Sequence, residues 1–204
     1  MHEALRAGIA IYNDEFYHAA HDAWEATWLS LEDGTDDERL LHGLIQFTAA
    51  IYHARNRNWE GATGLADSAG GYLAGLPDSY RGVALEPVRQ FLAELAADPE
   101  RIERHEPTSL THNGTRLTCA DLRVTEIAIV APVLGEEWGY DVEPLEGATT
   151  YAITDLEGGD DGSRFISLLF DFVFDEDHRG LIYQRLSQHV SRREARESDV
   201  EGLF

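Results

Sequence analysis

Apolar side chains recur every three or four residues along most of this chain, which is the spacing of one face of an α-helix. The strongest pattern covers residues 37–56, where the repeat is formed by Leu40, Leu41, Leu44, Ile45, Thr48, Ile51 and Tyr52. The same spacing predicts nine helices, over residues 3–12, 15–31, 37–56, 59–75, 84–97, 120–139, 143–157, 163–176 and 178–196. Capping and stop signals separate them, such as Asn58 before the fourth helix and Pro99 after the fifth.

Residues 120–139 fit two kinds of secondary structure. Their β-branched residues favour a strand, whereas Leu122, Ile129, Val133 and Leu134 fit one face of a helix. We predict a helix, because Asp121 can cap it and the alternation of polar and apolar residues is poor. Pro132 is then the expected kink point.

The stretch 104–118 has no hydrophobic periodicity and contains the turn signal Asn113-Gly114. We interpret it as a connection between a helical bundle over residues 1–103 and a helical C-terminal extension over residues 119–204, which packs on the bundle or follows it. The predicted class is all-α, a multihelical bundle of about nine helices built from antiparallel helical hairpins. We expect the apolar ending Leu203-Phe204 to dock on its own chain or to be recognised by a partner.

Charge adds a second kind of information. The chain has 38 acidic residues against 16 basic ones, all of the latter arginine, and a formal net charge of −22. The excess is spread evenly, since residues 1–111 and 112–204 each hold 19 acids and 8 arginines. Such a coat repels itself unless salt screens it, so we predict a salt-rich cytoplasm of the kind found in halophilic archaea. The evenly acidic surface also argues against binding to nucleic acid or anionic membranes, both of which require basic patches.

The sequence lacks the signals that identify several classes of protein. The single cysteine, Cys119, excludes an intrachain disulfide framework and a cysteine-rich zinc site. No apolar run approaches the roughly 18 residues of a membrane span, and the N-terminus does not read as a signal peptide, so we expect a cytoplasmic protein. No Walker loop, dinucleotide glycine pattern or G-x-S-x-G elbow occurs, which argues against the common ATP-dependent and NAD-dependent enzymes and the α/β-hydrolases.

Polar residues concentrate on two of the predicted helices. His21, Glu25 and Trp28 share a strip of the second helix, at steps of four and three residues. Gln46 and His53 share a strip of the third helix with His42, and Asn58 lies beyond its end. If the two helices pair antiparallel, His21 and Glu25 can face Gln46 and His53. We therefore predict a buried polar pocket between helices 2 and 3.

Three interpretations of this cluster remain open. It can be a structural network, in which Glu25 bonds His21 or the Trp28 indole. It can be a binding pocket without metal. It can also be a metal or acid–base site built from His21, Glu25 and His53, since helical bundles take imidazole and carboxylate ligands from facing helices. No HExxH or paired ExxH motif supports the metal interpretation.

The residues around this cluster resemble a known family. Residues 20–28 contain an A-H-[DE]-x-W-E-x-x-W run, and residues 42–58, HGLIQFTAAIYHARNRN, are similar to a second signature of the domain of unknown function family numbered 309. The resemblance covers about residues 5–75 and implies a small all-helical bundle, found in bacteria and archaea, without an established activity. Carried over by position, the typical polar residues of the family are His21, Glu25, Trp28, Gln46, His53 and Asn58. Residues 112–204 look like an extension seen in halophilic archaeal members.

We therefore expect a non-enzymatic module that binds a protein or small ligand through this pocket, with no evident cofactor. The alternative is a hydrolase-like enzyme that uses His21, Glu25 and His53, either with a divalent metal or by acid–base chemistry. Dimerisation through the apolar second half is a further option.

Overall fold

The structure is a computed structural model that describes residues 1–201, with side chains described as far as residue 199. The apolar ending Leu203-Phe204, for which we predicted a docking role, lies outside the described residues.

Helices dominate the described chain. They are α1 (His2–Asn13), α2 (Tyr17–Trp28), α3 (Asp36–Arg55), α4 (Trp59–Leu73), α5 (Glu86–Ala97), α6 (Val124–Glu137), α7 (Glu143–Glu157), α8 (Arg164–Phe174) and α9 (Arg179–Glu201). Short 3₁₀ turns cover Pro99–Glu103 and Cys119–Asp121. Helix accounts for about 70% of the described residues, so the predicted multihelical class is confirmed.

The pattern of apolar residues did not predict a small antiparallel sheet. Its strands, in the order β1-β2-β3-β4, are β1 (Ser79–Tyr80), β2 (Val83–Ala84), β3 (Thr111–His112) and β4 (Thr115–Arg116). Two-residue turns, Arg81-Gly82 and Asn113-Gly114, close the two hairpins with positive φ at all four positions, which matches the twist of paired strands. The turn predicted at Asn113-Gly114 is present. The strands themselves are too short to produce a detectable alternation of polar and apolar residues.

The chain divides into two compact units, the first over Met1–Leu122 and the second from Arg123 onward. The stretch 104–118, which we interpreted as a connection, lies within the first unit. Buried Asn13 at the end of α1 holds it in place: its amide nitrogen donates to the carbonyls of Leu110 and Leu117, both at 2.8 Å, and its Oδ1 accepts the Leu110 N–H at 2.9 Å. Tyr12 adds a bond from its hydroxyl to the Thr108 carbonyl at 2.6 Å.

The second unit confirms the helix predicted around Pro132 but not its predicted cap. Asp121 closes the preceding 3₁₀ turn through the Thr118 N–H, and the Glu126 carboxylate accepts the Arg123 N–H at 2.6 Å where α6 begins. Pro132 lies inside α6 and has no N–H for the carbonyl of Ala128. That carbonyl accepts the Thr149 hydroxyl from α7 at 3.3 Å instead. Helix α7 thereby supplies the hydrogen bond that proline removes.

Candidate functional site

An open cavity of about 730 Å³ lies in the first unit, between the end of α2, the start of α3 and the second half of α4. Its walls are formed by Trp28, Asp33, Gly34, Glu38, Arg39, His42, Ser68, Gly71 and Tyr72. The volume lies within the range of about 300–1,000 Å³ that is usual for small-molecule sites.

The first turn of α3 positions the carboxylate of this pocket. Thr35 caps the helix and its hydroxyl oxygen accepts the Glu38 N–H at 3.3 Å. Glu38, His42 and Gln46 follow at steps of four residues, which places their side chains on one side of α3. The capping residue thus determines where this polar row begins.

Glu38 accepts two side-chain hydrogen bonds on the same oxygen. The Trp28 indole N–H approaches its Oε1 to 2.9 Å and His42 Nδ1 lies 3.0 Å from it. Burial by itself raises the pKa of Glu38, but the hydrogen bonds from Trp28, His42 and the backbone of Gly34 outweigh it, so the pKa is lowered overall. Glu38 is therefore a carboxylate at neutral pH, although only 7% of the residue is exposed.

An ionised Glu38 determines the tautomer of His42. Because the carboxylate can only accept, the proton must be on Nδ1 of the imidazole. The other ring nitrogen, Nε2, lies 2.9 Å from the amide nitrogen of Gln46 and accepts its N–H. Both imidazole nitrogens are thus occupied by protein partners. The Gln46 Oε1 atom is buried and has no hydrogen-bond partner among the described residues.

Aromatic rings surround the same imidazole. The ring of Tyr72 on α4 stacks on His42 with centroids 3.8 Å apart and planes 27° apart, and the Trp28 ring lies 4.6 Å away on a tilted plane. One glycine makes this arrangement fit. A Cβ on Gly43 would lie 2.6 Å from the Leu73 side chain, so glycine lets α3 and α4 approach closely.

Only part of the predicted cluster belongs to this pocket. Trp28 lines it and Gln46 supports it, but the indole of Trp28 bonds Glu38 and not Glu25. His21 lies on α2 with Nε2 3.8 Å from the Glu25 carboxylate, and both side chains are partly exposed. Within the described residues, His21 makes no hydrogen bond or ion pair with Gln46 or His53.

His53 and Asn58 have a different local role. The side-chain nitrogen of Asn58 lies 2.7 Å from His53 Nδ1, and Asn58 Oδ1 accepts the Gly61 N–H at 3.1 Å as the N-cap of α4. A Cβ on Gly61 would meet both side chains at about 3 Å or less. This pair therefore shapes the turn between α3 and α4.

A group of three potential metal ligands on α2 contains two of the residues proposed from the sequence, His21 and Glu25. Among the described residues, His21, Asp22 and Glu25 offer ligand atoms that all lie within 4.8 Å of one another. His53, the third ligand proposed from the sequence, is not a member of this group.

Sequence reasoning missed the two residues that define the pocket, Glu38 and Tyr72. Glu38 reads as an ordinary acidic residue near a helix N-terminus, and Tyr72 as one more apolar position of α4. A signal was nevertheless present, because Glu38, His42 and Gln46 repeat every four residues on one helix. Following that row toward the helix start would have found the carboxylate.

The fold and the pocket define a largely helical domain in which Trp28 and His42 bind a buried carboxylate and Tyr72 stacks on the histidine. Residues 5–65, which include α1 to α3 and the start of α4, match the family model of DUF309, described as a domain of unknown function. The match confirms the family resemblance predicted from the sequence over these residues. A comparison with curated proteins found no match. Across the described residues, no helix combines the length and apolar character that a membrane crossing requires.

Proposed function

We propose that the first unit is a non-enzymatic module that binds a small planar molecule in the pocket of Trp28, His42 and Tyr72. The observation that carries this proposal is the aromatic wall, formed by Trp28, His42 and Tyr72, on one side of an open cavity of about 730 Å³. Aromatic faces favour planar ligands, because stacked rings gain about 0.5–1.5 kcal/mol beyond the burial of their area. The module would occupy a salt-rich cytoplasm, which the charge of −22 and the absence of lysine support.

The hydrogen bonds of the pocket favour binding over acid–base catalysis. A general base needs a free lone pair and a general acid needs a proton that it can release. In this pocket Nδ1 of His42 donates to Glu38 and Nε2 accepts from Gln46, while the lowered pKa of Glu38 keeps it ionised. The pair therefore holds the aromatic wall in place and leaves no free nitrogen on the His42 imidazole for acid–base chemistry.

Charge around the cavity favours a neutral or positively charged ligand. Asp33 and Glu38 contribute two carboxylates, whereas Arg39 contributes one guanidinium, which lies 3.8 Å from the Asp36 carboxylate. A cation over the face of tryptophan or tyrosine gains a further attraction from the ring quadrupole. An anionic ligand of the same shape gains neither effect.

Three ring compounds of similar size test this proposal: 1-methylnicotinamide is a cation, nicotinamide is neutral and nicotinate is an anion. We expect the NMR signal of the Trp28 indole N–H to shift with the first two and least with nicotinate. Probes of about nine heavy atoms should bind in the millimolar range. The shift should disappear in Tyr72→Ala and persist in Tyr52→Ala, which removes an exposed tyrosine of α3 outside the pocket.

Two results would overturn the binding proposal. One is a Trp28 signal that none of the three compounds moves at concentrations up to tens of millimolar. The other is a shift of equal size in Tyr72→Ala and in the unsubstituted chain, since binding would then not involve the aromatic wall.

A metal site on α2 is the second candidate, and the grouping of His21, Asp22 and Glu25 favours it. We propose that these side chains can hold a divalent transition metal ion, which takes nitrogen and oxygen ligands of this kind. Zinc titration of metal-free protein should show binding that His21→Ala removes and His53→Ala leaves unchanged. Absence of zinc binding at micromolar concentration would refute it, and equal loss in His53→Ala would restore the ligand set predicted from the sequence.

A further inference from the structure

The second unit contains a groove whose charge is opposite to that of the chain as a whole. It measures about 340 Å³, lies between the start of α8 and residues 189–196 of α9, and is lined by Arg164, Phe165, His189, Arg192, Arg193 and Arg196. Four of the 16 arginines of a chain with a net charge of −22 therefore line one groove. An even acidic coat does not account for such a concentration.

Helix geometry creates the basic row. His189, Arg192, Arg193 and Arg196 are spaced by three, one and three residues, so they share one face of α9. Arg164 enters the groove from the first position of α8, and Phe165 beside it meets the His189 ring edge-on at 6.3 Å. Two helices thus present guanidinium groups to one space.

Two acidic residues beside this groove, Asp155 and Glu197, are already engaged. Asp155 on α7 accepts from Arg193 and from the Ser163 hydroxyl, both at 2.6 Å. Glu197 accepts from Arg193 at 3.2 Å and from the Tyr151 hydroxyl at 3.0 Å. Both carboxylates therefore face Arg193, the one arginine of this groove that forms an ion pair within the part of the chain that the structure describes.

The other three arginines have no such partner. The side chains of Arg164, Arg192 and Arg196 make no hydrogen bond or ion pair with any residue of the described range, and each residue is exposed. Arginines of the first unit are bound differently, as in the double hydrogen bond from Arg81 to Asp37 at 2.7 and 2.5 Å. Neighbouring guanidinium groups repel one another, and a bound anion removes that repulsion.

The charges of these arginines also act on His189, the histidine that lines the groove. Burial lowers the pKa of His189, and the nearby charges of Arg164 on α8 and Arg192 on α9 lower it further. Arg193 and Arg196 also face the groove, and the carboxylate of Asp155 is bound to Arg193. His189 is therefore neutral at pH 7 and can donate one hydrogen bond to a ligand.

We propose that Arg164, Arg192 and Arg196 form a binding site for the phosphate group of a small molecule. Three guanidinium groups that line one groove suit an oxyanion of two or more negative charges, because each can offer a planar fork of N–H donors to its oxygens. The groove is too small for a large ligand, and the acidic surface elsewhere opposes nucleic acid. Free phosphate and a phosphorylated metabolite share this chemistry.

Calorimetric titration of the full chain at constant ionic strength tests this site with inorganic phosphate, pyrophosphate, AMP and adenosine. We expect the phosphate compounds to bind and adenosine not to bind. The double variant Arg164→Gln/Arg192→Gln should weaken binding at least tenfold, since both side chains are exposed and their loss leaves the fold intact. Arg185→Gln removes an exposed arginine of the same helix outside the groove, and it should change binding less than twofold.

The NMR titration of His189 gives an independent readout. A bound phosphate offsets the charges of Arg164 and Arg192, so saturating pyrophosphate should raise the pKa of His189 in the unsubstituted chain but not in the double variant. AMP that binds more tightly than phosphate identifies a phosphorylated metabolite as the ligand, and equal affinity identifies the free oxyanion.

Three results would overturn the proposal. The first is no binding of any phosphate compound below about 10 mM. The second is equal weakening in Arg185→Gln, which would reduce the effect to general counterion attraction. The third is an affinity for single-stranded RNA that exceeds that for AMP and grows with its length, which would make the groove part of a nucleic-acid surface.

Discussion

Replacing Asn13 by alanine tests how the stretch 104–118 is held to the first unit. The side chain of Asn13 is 4% exposed and bonds three backbone groups: the N–H and carbonyl of Leu110 and the carbonyl of Leu117. Leu110 is fully buried and Leu117 nearly so. Alanine removes all three hydrogen bonds and leaves these buried backbone groups without the side chain that binds them.

The cost follows from the groups left without partners. A buried donor or acceptor that loses its only partner costs about 1–3 kcal/mol. Three such groups give a sum of about 3–9 kcal/mol, and water that enters the vacated space satisfies part of it. We therefore expect Asn13→Ala to lower the free energy of unfolding by about 3–5 kcal/mol, which places it among the most damaging single substitutions.

Urea unfolding of the full chain at one fixed salt concentration, followed by circular dichroism and tryptophan fluorescence, measures this loss. Asn56→Ala is the matched control, because Asn56 is exposed and its side chain makes one bond, to the Tyr52 carbonyl at 2.9 Å. That variant should lose less than about 1 kcal/mol. Equal losses in the two variants, or a loss below 1 kcal/mol in Asn13→Ala, would refute the claim that this side chain holds the segment.

Three further predictions concern the same unit. Hydrogen bonding lowers the pKa of Glu38 in the folded chain, so its carboxylate stabilises the fold above the usual glutamate pKa of about 4.3. This stabilisation is lost as the pH falls through the lower pKa of the folded chain. In unfolding experiments, Glu38→Gln should therefore be less stable than the unsubstituted chain at pH 7 and approach its stability near pH 3. Gly43→Ala should lose about 1–3 kcal/mol in urea unfolding, because the new methyl group meets Leu73. Burial raises the pKa of Cys119, so a thiol reagent should label it only after unfolding; rapid labelling of the native chain would contradict this.

Much of the helical framework could be predicted from the sequence, because each helix buries a continuous apolar stripe. The stripe Leu40, Leu44 and Ile51 of α3 is fully buried, as its spacing predicts. Helix ends were harder to place: α2 begins at Tyr17 and ends at Trp28, inside the predicted range of 15–31. The terminal residues of a helix are set by local caps and contacts, for which the apolar stripe carries no information.

The sequence shows which polar residues share one helix face, but not which residues of different helices come into contact. Residues that share a helix face can be read from spacing, so the association of His42 with Gln46 follows from the sequence. Which faces of two helices meet depends on their rotation and on how closely they approach. The sequence placed Glu25 beside Trp28, whereas the folded chain brings Glu38 to the Trp28 indole, because the loop after α2 turns the start of α3 toward it.

The sequence by itself therefore determined the helical class, the match of residues 5–65 to a family model and the acidic charge, since these depend on local spacing and composition. The tertiary structure alone decided that Asn13 binds residues nearly a hundred positions away, that Tyr72 stacks on His42 and that arginines of α8 and α9 line one groove. Such contacts join helices whose separation along the chain is unrelated to their distance in space. The packing of whole helices against one another, and not the pattern within any one of them, creates these sites.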